Sequence, residues 1–261
     1  MSVQGIVVCV DEREYSLILE SVSQEMRPFL TRSPAMRRFL APRDAAAMIV
    51  QRAFVTPEDA EALQTRKRCG VRWPFIQILR NGEVRHRDAF EGAAAVLTRN
   101  EIRTGLVPAL RRTIIAWRIA RVAERSATRI AAATVVRAVF ACVLTNDPPP
   151  RSVPDVAACV GRSKSHIFGK WRTSVASSVG VELRAFVDWV VLLRALESKS
   201  ATRTWTGVAA HLGIRLERLE GHAAALADRS LKELEDDLGL AALGKLETDV
   251  LVKLGLHDEW E

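Results

Sequence analysis

The chain has little of what membranes, zinc sites or phosphate-cradling loops require. It holds no uncharged apolar run of bilayer length and no basic-then-apolar leader, so a cytoplasmic protein without a membrane partner is expected. The four cysteines, Cys9, Cys69, Cys142 and Cys159, form neither two close pairs nor a Cys/His cluster, which argues against zinc. Each stands among apolar neighbours or beside a glycine, and each is read as a buried free thiol. Gly-rich phosphate loops are missing. Among the five histidines, His86, His211 and His257 have no partner at motif spacing. Asp11 and Glu12 are paired acids, yet without an acceptor Asp they imply no reaction. No enzyme, metal or cofactor is therefore expected; a catalytic site would have to be assembled from residues distant in sequence.

What is present is length and positive charge. The 261 residues suffice for two cores, with 48% hydrophobic residues, a formal charge of +7 and a pI near 9.7. A basic balance permits an acidic partner without choosing between nucleic acid and membrane. The charge is densest at Arg111, Arg112, Arg118, Arg121, Arg125 and Arg129, opposed only by Glu124. That run is either a solvated helix face or a phosphate-tracking stripe.

Ser152 to Arg172 reads as a helix-turn-helix. Ser152 suits an N-cap, Pro154 and Asp155 suit a first turn, and Val156, Ala157 and Val160 share one face. Gly161 can take the left-handed conformation that closes the helix. Ser163 caps a second helix in which Ile167 and Trp171, four apart, point inward. Lys164, Ser165 and Lys170 remain for solvent or DNA.

These residues carry a resemblance. Val156-Ala157, Gly161, Ser163, Ser165-His166, Ile167 and Trp171 are similar to the first helix-turn-helix of the AraC family of transcription regulators. Gly180-Val181, Leu183, Phe186, Trp189, Leu192 and Arg194-Ala195 resemble the helix joining that family's two DNA-binding halves. The family commonly carries a basic residue where this chain has Gly169, so one DNA contact is expected to be missing. A weaker second copy follows in Thr206 to Gly213, with Arg215 to His222 as its second helix. Glu217 and Glu220 would repel phosphate there, so this half is expected to be structural or weakly bound. The resemblance implies DNA contacts from Arg162, Ser163, Lys164, Ser165, His166, Lys170 and Arg172, with Arg215, Arg218 and His222 as phosphate candidates. Lys164, Ser165 and His166 would approach base edges, and Lys170 and Arg172 would hold phosphates.

The N-terminal half alternates strands and helices. Strands are expected at Gly5–Val10, Pro28–Leu30, Ala46–Val50, Trp73–Leu79 and Ala93–Leu97, and helices at Glu14–Met26 and Pro57–Arg68. This order indicates an open, mainly parallel sheet. It is similar to the receiver domain of bacterial response regulators: Val10-Asp11-Glu12 follows the first strand, and Val96 to Asn100 resembles the fifth-strand ending, with Arg99 in the family's Lys place. The phospho-acceptor Asp should end the third strand, which instead reads Met48-Ile49-Val50-Gln51-Arg52. A Gln cannot form an acyl phosphate, so the resemblance implies a pseudo-receiver kept for contacts. A generic α/β domain is the alternative.

Gly105 to Ala133 reads as one long helix whose apolar stripe (Leu106, Leu110, Ile114, Ile115, Trp117, Ile119, Val122) packs on its own domain or on a second copy of the chain. A homodimer is the expectation, matching a repeated DNA site. Asn146 to Pro150 reads as a stiff connector. The net-acidic tail from Leu238 packs on the body or a partner. The expected organisation is a receiver-like α/β domain over 1–112, connecting helices over 113–145, an all-α AraC-like domain with two helix-turn-helix units over 146–238, and a helical tail over 239–261. The function expected is that of a sequence-specific transcription regulator on double-stranded DNA. Two alternatives stay open: a protein-interaction adaptor with a degenerate helix-turn-helix, and a regulator sensing a small-molecule effector.

Overall fold

Continuous apolar runs in the N-terminal half build a sheet covered on both faces. The computed structural model describes residues 5–22, 24, 27, 30–32, 45–55, 74–80, 82–83, 93–129, 134–200 and 202–256. Strands β1 (Gly5–Cys9), β2 (Leu30–Arg32), β3 (Ala45–Gln51), β4 (Phe75–Leu79) and β5 (Ala95–Thr98) lie in the order β2-β1-β3-β4-β5. Every neighbouring pair is parallel. Ile6 to Val10 and Ala47 to Gln51 are buried without alternation, the pattern of parallel strands covered on both faces. One face contributes Val7, Cys9, Met48, Val50 and Phe75 to a single cluster. The chain is thus an α/β N-terminal region followed by an all-α C-terminal region, and it divides into units 1–117 with 236–238 and 118–235 with 239–261.

Helix α1 (Glu12–Ser21) starts because the Asp11 carboxylate accepts from the N–H groups of Arg13 and Glu14, each at 3.0 Å. It stops at Ser21, short of the expected Met26, where Val22 turns extended after donating its N–H to the Ile18 carbonyl. The helix expected over Pro57–Arg68 lies outside the described residues, as do Cys69, His86 and His257.

Helix α2 (Ile102–Arg129) begins three residues earlier than Gly105, behind a capping box of Thr98 and Glu101. Leu106, Leu110, Ile114, Ile115, Ile119 and Val122 are all buried within the chain. That corrects the two-chain reading of this stripe, whose rationale was an apolar face left in solvent. The arginine run is corrected too. Arg111 and Arg118 are buried, Arg118 lies 3.3 Å from Glu247, Arg121 pairs with Glu124, and Arg125 donates to the Leu256 carbonyl at 3.1 Å. These four cations hold the fold and form neither a solvated face nor a phosphate stripe; Arg112 stays exposed, and the Arg129 side chain lies outside what the structure describes.

The helical region comprises α3 (Thr134–Thr145), α4 (Val153–Val160), α5 (Lys164–Trp171), α6 (Leu183–Ser198), α7 (Trp205–His211), α8 (Leu216–His222), α9 (Leu231–Asp236) and α10 (Leu240–Leu246). Its core centres on Phe140, Trp171 and Phe186, with ring centroids 5.2, 4.9 and 5.6 Å apart. Phe140 belongs to α3, so residues 134–145 form part of this core instead of a connector. Pro149 and Pro150 are buried, and the stretch from Asn146 is a turn inside the domain. Helix α10 buries Ala242, Leu243 and Leu246, so the tail packs on the body. No helix among the described residues is long and apolar enough to cross a membrane.

The turn at Asn146–Pro150 folds α4 back on α3 and brings Cys142 and Cys159 into a disulfide, with Cα atoms 6.5 Å apart. The free-thiol reading fails for these two; Cys9 is buried and outside any disulfide. Closing a loop of this size is worth about 3 kcal/mol. Labelling of the unfolded, non-reduced chain should therefore spare Cys142 and Cys159 until reductant is added. Cys159→Ser should lower the unfolding free energy by about that amount in a denaturant titration; an unchanged midpoint would show that the bridge contributes nothing.

Candidate functional site

Helix α4 and helix α5 form the first helix-turn-helix through four local devices. The Ser152 hydroxyl accepts from the Asp155 N–H at 3.3 Å, and the Ser163 hydroxyl accepts from the His166 N–H at 3.2 Å. Gly161 closes α4 at φ 65°, a conformation that penalises side chains. Trp171 anchors the far end of α5, its indole N–H donating to the Val181 carbonyl at 2.7 Å.

On α5 only Ile167 and Trp171 are buried. Arg162, Ser163, Lys164, Ser165, His166, Lys170 and Arg172 are all exposed. Among the described residues none of the four cations has an ion-pair partner, and α5 contains no carboxylate. By helical spacing, Ser165 and Gly169 lie opposite Ile167 and Trp171 and form the outermost ridge, with His166 and Lys170 on one flank and Lys164, Phe168 and Arg172 on the other. A Cβ at Gly169 would meet nothing within 4 Å.

The second unit, α7 and α8, repeats the plan: Thr204 caps α7, accepting from the Gly207 N–H at 3.1 Å, and Gly213 turns the chain at φ 65°. Its cations are spent differently. Arg218 donates to the Arg151 carbonyl at 2.8 Å and to Asp188 at 3.3 Å. Arg151 in turn donates to the Gly213 carbonyl at 2.9 Å, and a Cβ on Gly213 would come within 2.6 Å of that guanidinium. His222 is buried, 3.5 Å from Asp188 and 3.2 Å from the Arg218 Nε. Arg218 and His222 thus fasten α8 to the domain, and of the three phosphate candidates there only Arg215 stands exposed without a partner. Sequence reasoning missed this because Asp188, which organises the cluster, sits on α6.

In the α/β unit, the carboxyl ends of β1 and β3 bring Asp11 and Gln51 together. Gln51 is wholly buried; its Oε1 accepts from the Asp11 N–H at 3.1 Å, while its Nε2 has no partner. Arg80 lies 3.8 Å from Asp11, and Arg99 lies 3.8 Å from Glu14. Both pairs stand at the limit of ion-pair distance, Glu14 Oε2 is buried without a hydrogen-bond partner among the described residues, and the Asp11 carboxylate caps α1. Glu14 and Arg80 were not singled out in the sequence; Glu14 is legible only as an acid three residues after a cap. Among the described residues no group of three His, Cys, Asp or Glu side chains converges as a metal site needs.

Comparison with known proteins finds no matching family model, no similar curated protein and no similar solved structure.

Burial holds the His222 imidazole below its ordinary value of 6.5, with Arg218 and Arg184 pushing the same way and Asp188 opposing. A lowered folded pKa means that the unfolded chain binds the proton more tightly, so this contribution is complete above pH 6.5 and is lost as pH falls below it. Wild-type thermal midpoints should drop more steeply than those of His222→Gln as pH falls from about 7 to 5; parallel profiles would remove His222 as the titrating group. Gly169→Ala should raise stability by up to about 1 kcal/mol, because a helix-interior glycine gains propensity and the new methyl has open space. Destabilisation in the same titration would mean that α5 is packed differently at Gly169.

Proposed function

We propose that the chain is a sequence-specific DNA-binding regulator in which α5 enters a major groove. The observation that supports it most is the charge disposition of α5 and its two ends: Arg162, Lys164, Lys170 and Arg172 are exposed and without ion pairs among the described residues, and α5 has no carboxylate. A surface that leaves all its cations unspent is complementary to a polyanion, and a helix capped at Ser163 with a buried aromatic anchor is rigid enough to read a groove. Ser165 and His166 supply hydrogen-bonding groups near its start, and α8 stabilises the domain while offering Arg215 to phosphate. A pseudo-receiver role for the α/β unit fits Gln51, whose amide cannot carry a phosphoryl group. In this reading that unit serves contacts, with a second copy of the chain or a small-molecule effector as its candidate partners; a cytoplasmic location fits a DNA partner, whereas the Cys142–Cys159 bridge calls for an oxidising setting.

The test is selection from genomic fragments, followed by fluorescence anisotropy on the enriched duplex at several salt concentrations. Lys170→Ala should flatten the log-affinity against log-salt slope by about 0.9, as loss of one phosphate contact does. Lys164→Ala should cost about 1–3 kcal/mol on the enriched duplex and little on random DNA. Weak, salt-sensitive binding without an enriched motif would sink the proposal and favour the protein-interaction adaptor.

A further inference from the structure

We propose that Phe168 is a specificity-determining residue that reads the C5-methyl group of thymine, an inference that rests on the DNA-binding reading above. Phe168 is 42% exposed and, with Val252, is one of only two large hydrophobic side chains exposed among the described residues. Its setting is unusual for an apolar ring. Lys164 lies one turn before it and Arg172 one turn after it on the same flank of α5, with Ser165 between them on the outer side.

On α5 itself Phe168 stands among cations and hydroxyls, the surroundings of a polyanion contact. In the major groove each base pair shows hydrogen-bonding edges, and the apolar group that it offers is the thymine methyl. A ring between Lys164, set toward base edges, and Arg172, set toward a phosphate, is therefore suited to that methyl.

Depth is the second requirement, and the small outer ridge supplies it. Ser165 and Gly169, both small, would let the α5 backbone approach the groove floor closely. With a long side chain at Gly169, Phe168 would be held away from the base edges. The groove of about 730 Å³ beside Phe168 is lined by Val153, Pro154, Ala185, Val187 and Leu226, with Arg151, Lys164, Arg184 and Arg218 set against Glu182 and Asp188. Asp188 is already engaged by Arg184, Arg218 and His222, which leaves Glu182 as the acid of this flank that a phosphate would meet.

The experiment takes the duplex enriched by the full-length chain and replaces each thymine in turn by deoxyuridine, which lacks only the methyl. Wild type should lose about fourfold in affinity at one or two positions, the value of one buried methyl. Phe168→Ala should bind the thymine duplex about tenfold more weakly and be indifferent to the same replacements. Phe168→Leu should keep part of the preference, and matching circular dichroism of the variants would exclude unfolding as the cause. An enriched motif without a specified thymine, or Phe168→Ala discriminating as wild type does, would overturn the inference while leaving DNA reading intact. Failure to enrich any motif would overturn both.

Discussion

The hydrogen bond from the Trp171 indole to the Val181 carbonyl is the contact on which the helical region turns. At 2.7 Å it satisfies a donor that is otherwise buried, and an unsatisfied one would cost about 1–3 kcal/mol. It also ties the end of α5 to the segment that leads into α6. Around it Phe140 of α3 and Phe186 of α6 close to within 5.2 and 5.6 Å of the Trp171 ring, so three helices meet on one side chain. Aromatic pairs of this kind are worth about 0.5–1.5 kcal/mol beyond the area they bury. With Trp171 and Ile167 fixed inward, the remaining faces of α5 have no choice but to face out.

The two helix-turn-helix units share geometry and differ in electrostatics. Both begin at hydroxyl caps and turn at left-handed glycines, Gly161 and Gly213. In the second, Arg218, His222 and Asp188 neutralise one another, and Arg151 ties the Gly213 turn to the segment before α4. In the first, none of the cations is used internally. Internal ion pairs lower the field that a surface presents, so the asymmetry gives the two units unequal claims on a charged partner.

Features set by nearest neighbours along the chain were legible; those set by distant partners were not. Ser152, Gly161, Ser163, Ile167 and Trp171 follow capping, left-handed turn and period rules, and each stands where those rules put it. The strands of the sheet were visible as apolar runs, with ends misplaced by a few residues because local pattern does not mark where pairing stops. Arg118 looked like a surface cation because its partner Glu247 is on the far side of the sequence. The Cys142–Cys159 bridge had no spacing signal, since it depends on α4 folding back over α3. His222 reads as a phosphate candidate in the sequence; it shares a face with Leu219, three residues before it, and its partner Asp188 lies on α6.

The carboxyl edge of the sheet bears on how the α/β unit could act. In an open sheet of this order, ligands bind where neighbouring crossovers diverge, which here is between β1 and β3. That position holds Asp11 bonded to Gln51, with Arg80 and Arg99 set against Asp11 and Glu14. A phosphoryl group needs a nucleophilic carboxylate, and the end of β3 offers an amide. A divalent cation needs unspent carboxylates, and Asp11 is already held by two backbone N–H groups and faces Arg80. The edge is only partly satisfied within itself: among the described residues Gln51 Nε2 and Glu14 Oε2 are buried without a hydrogen-bond partner, so two polar groups at the switch point remain to be met.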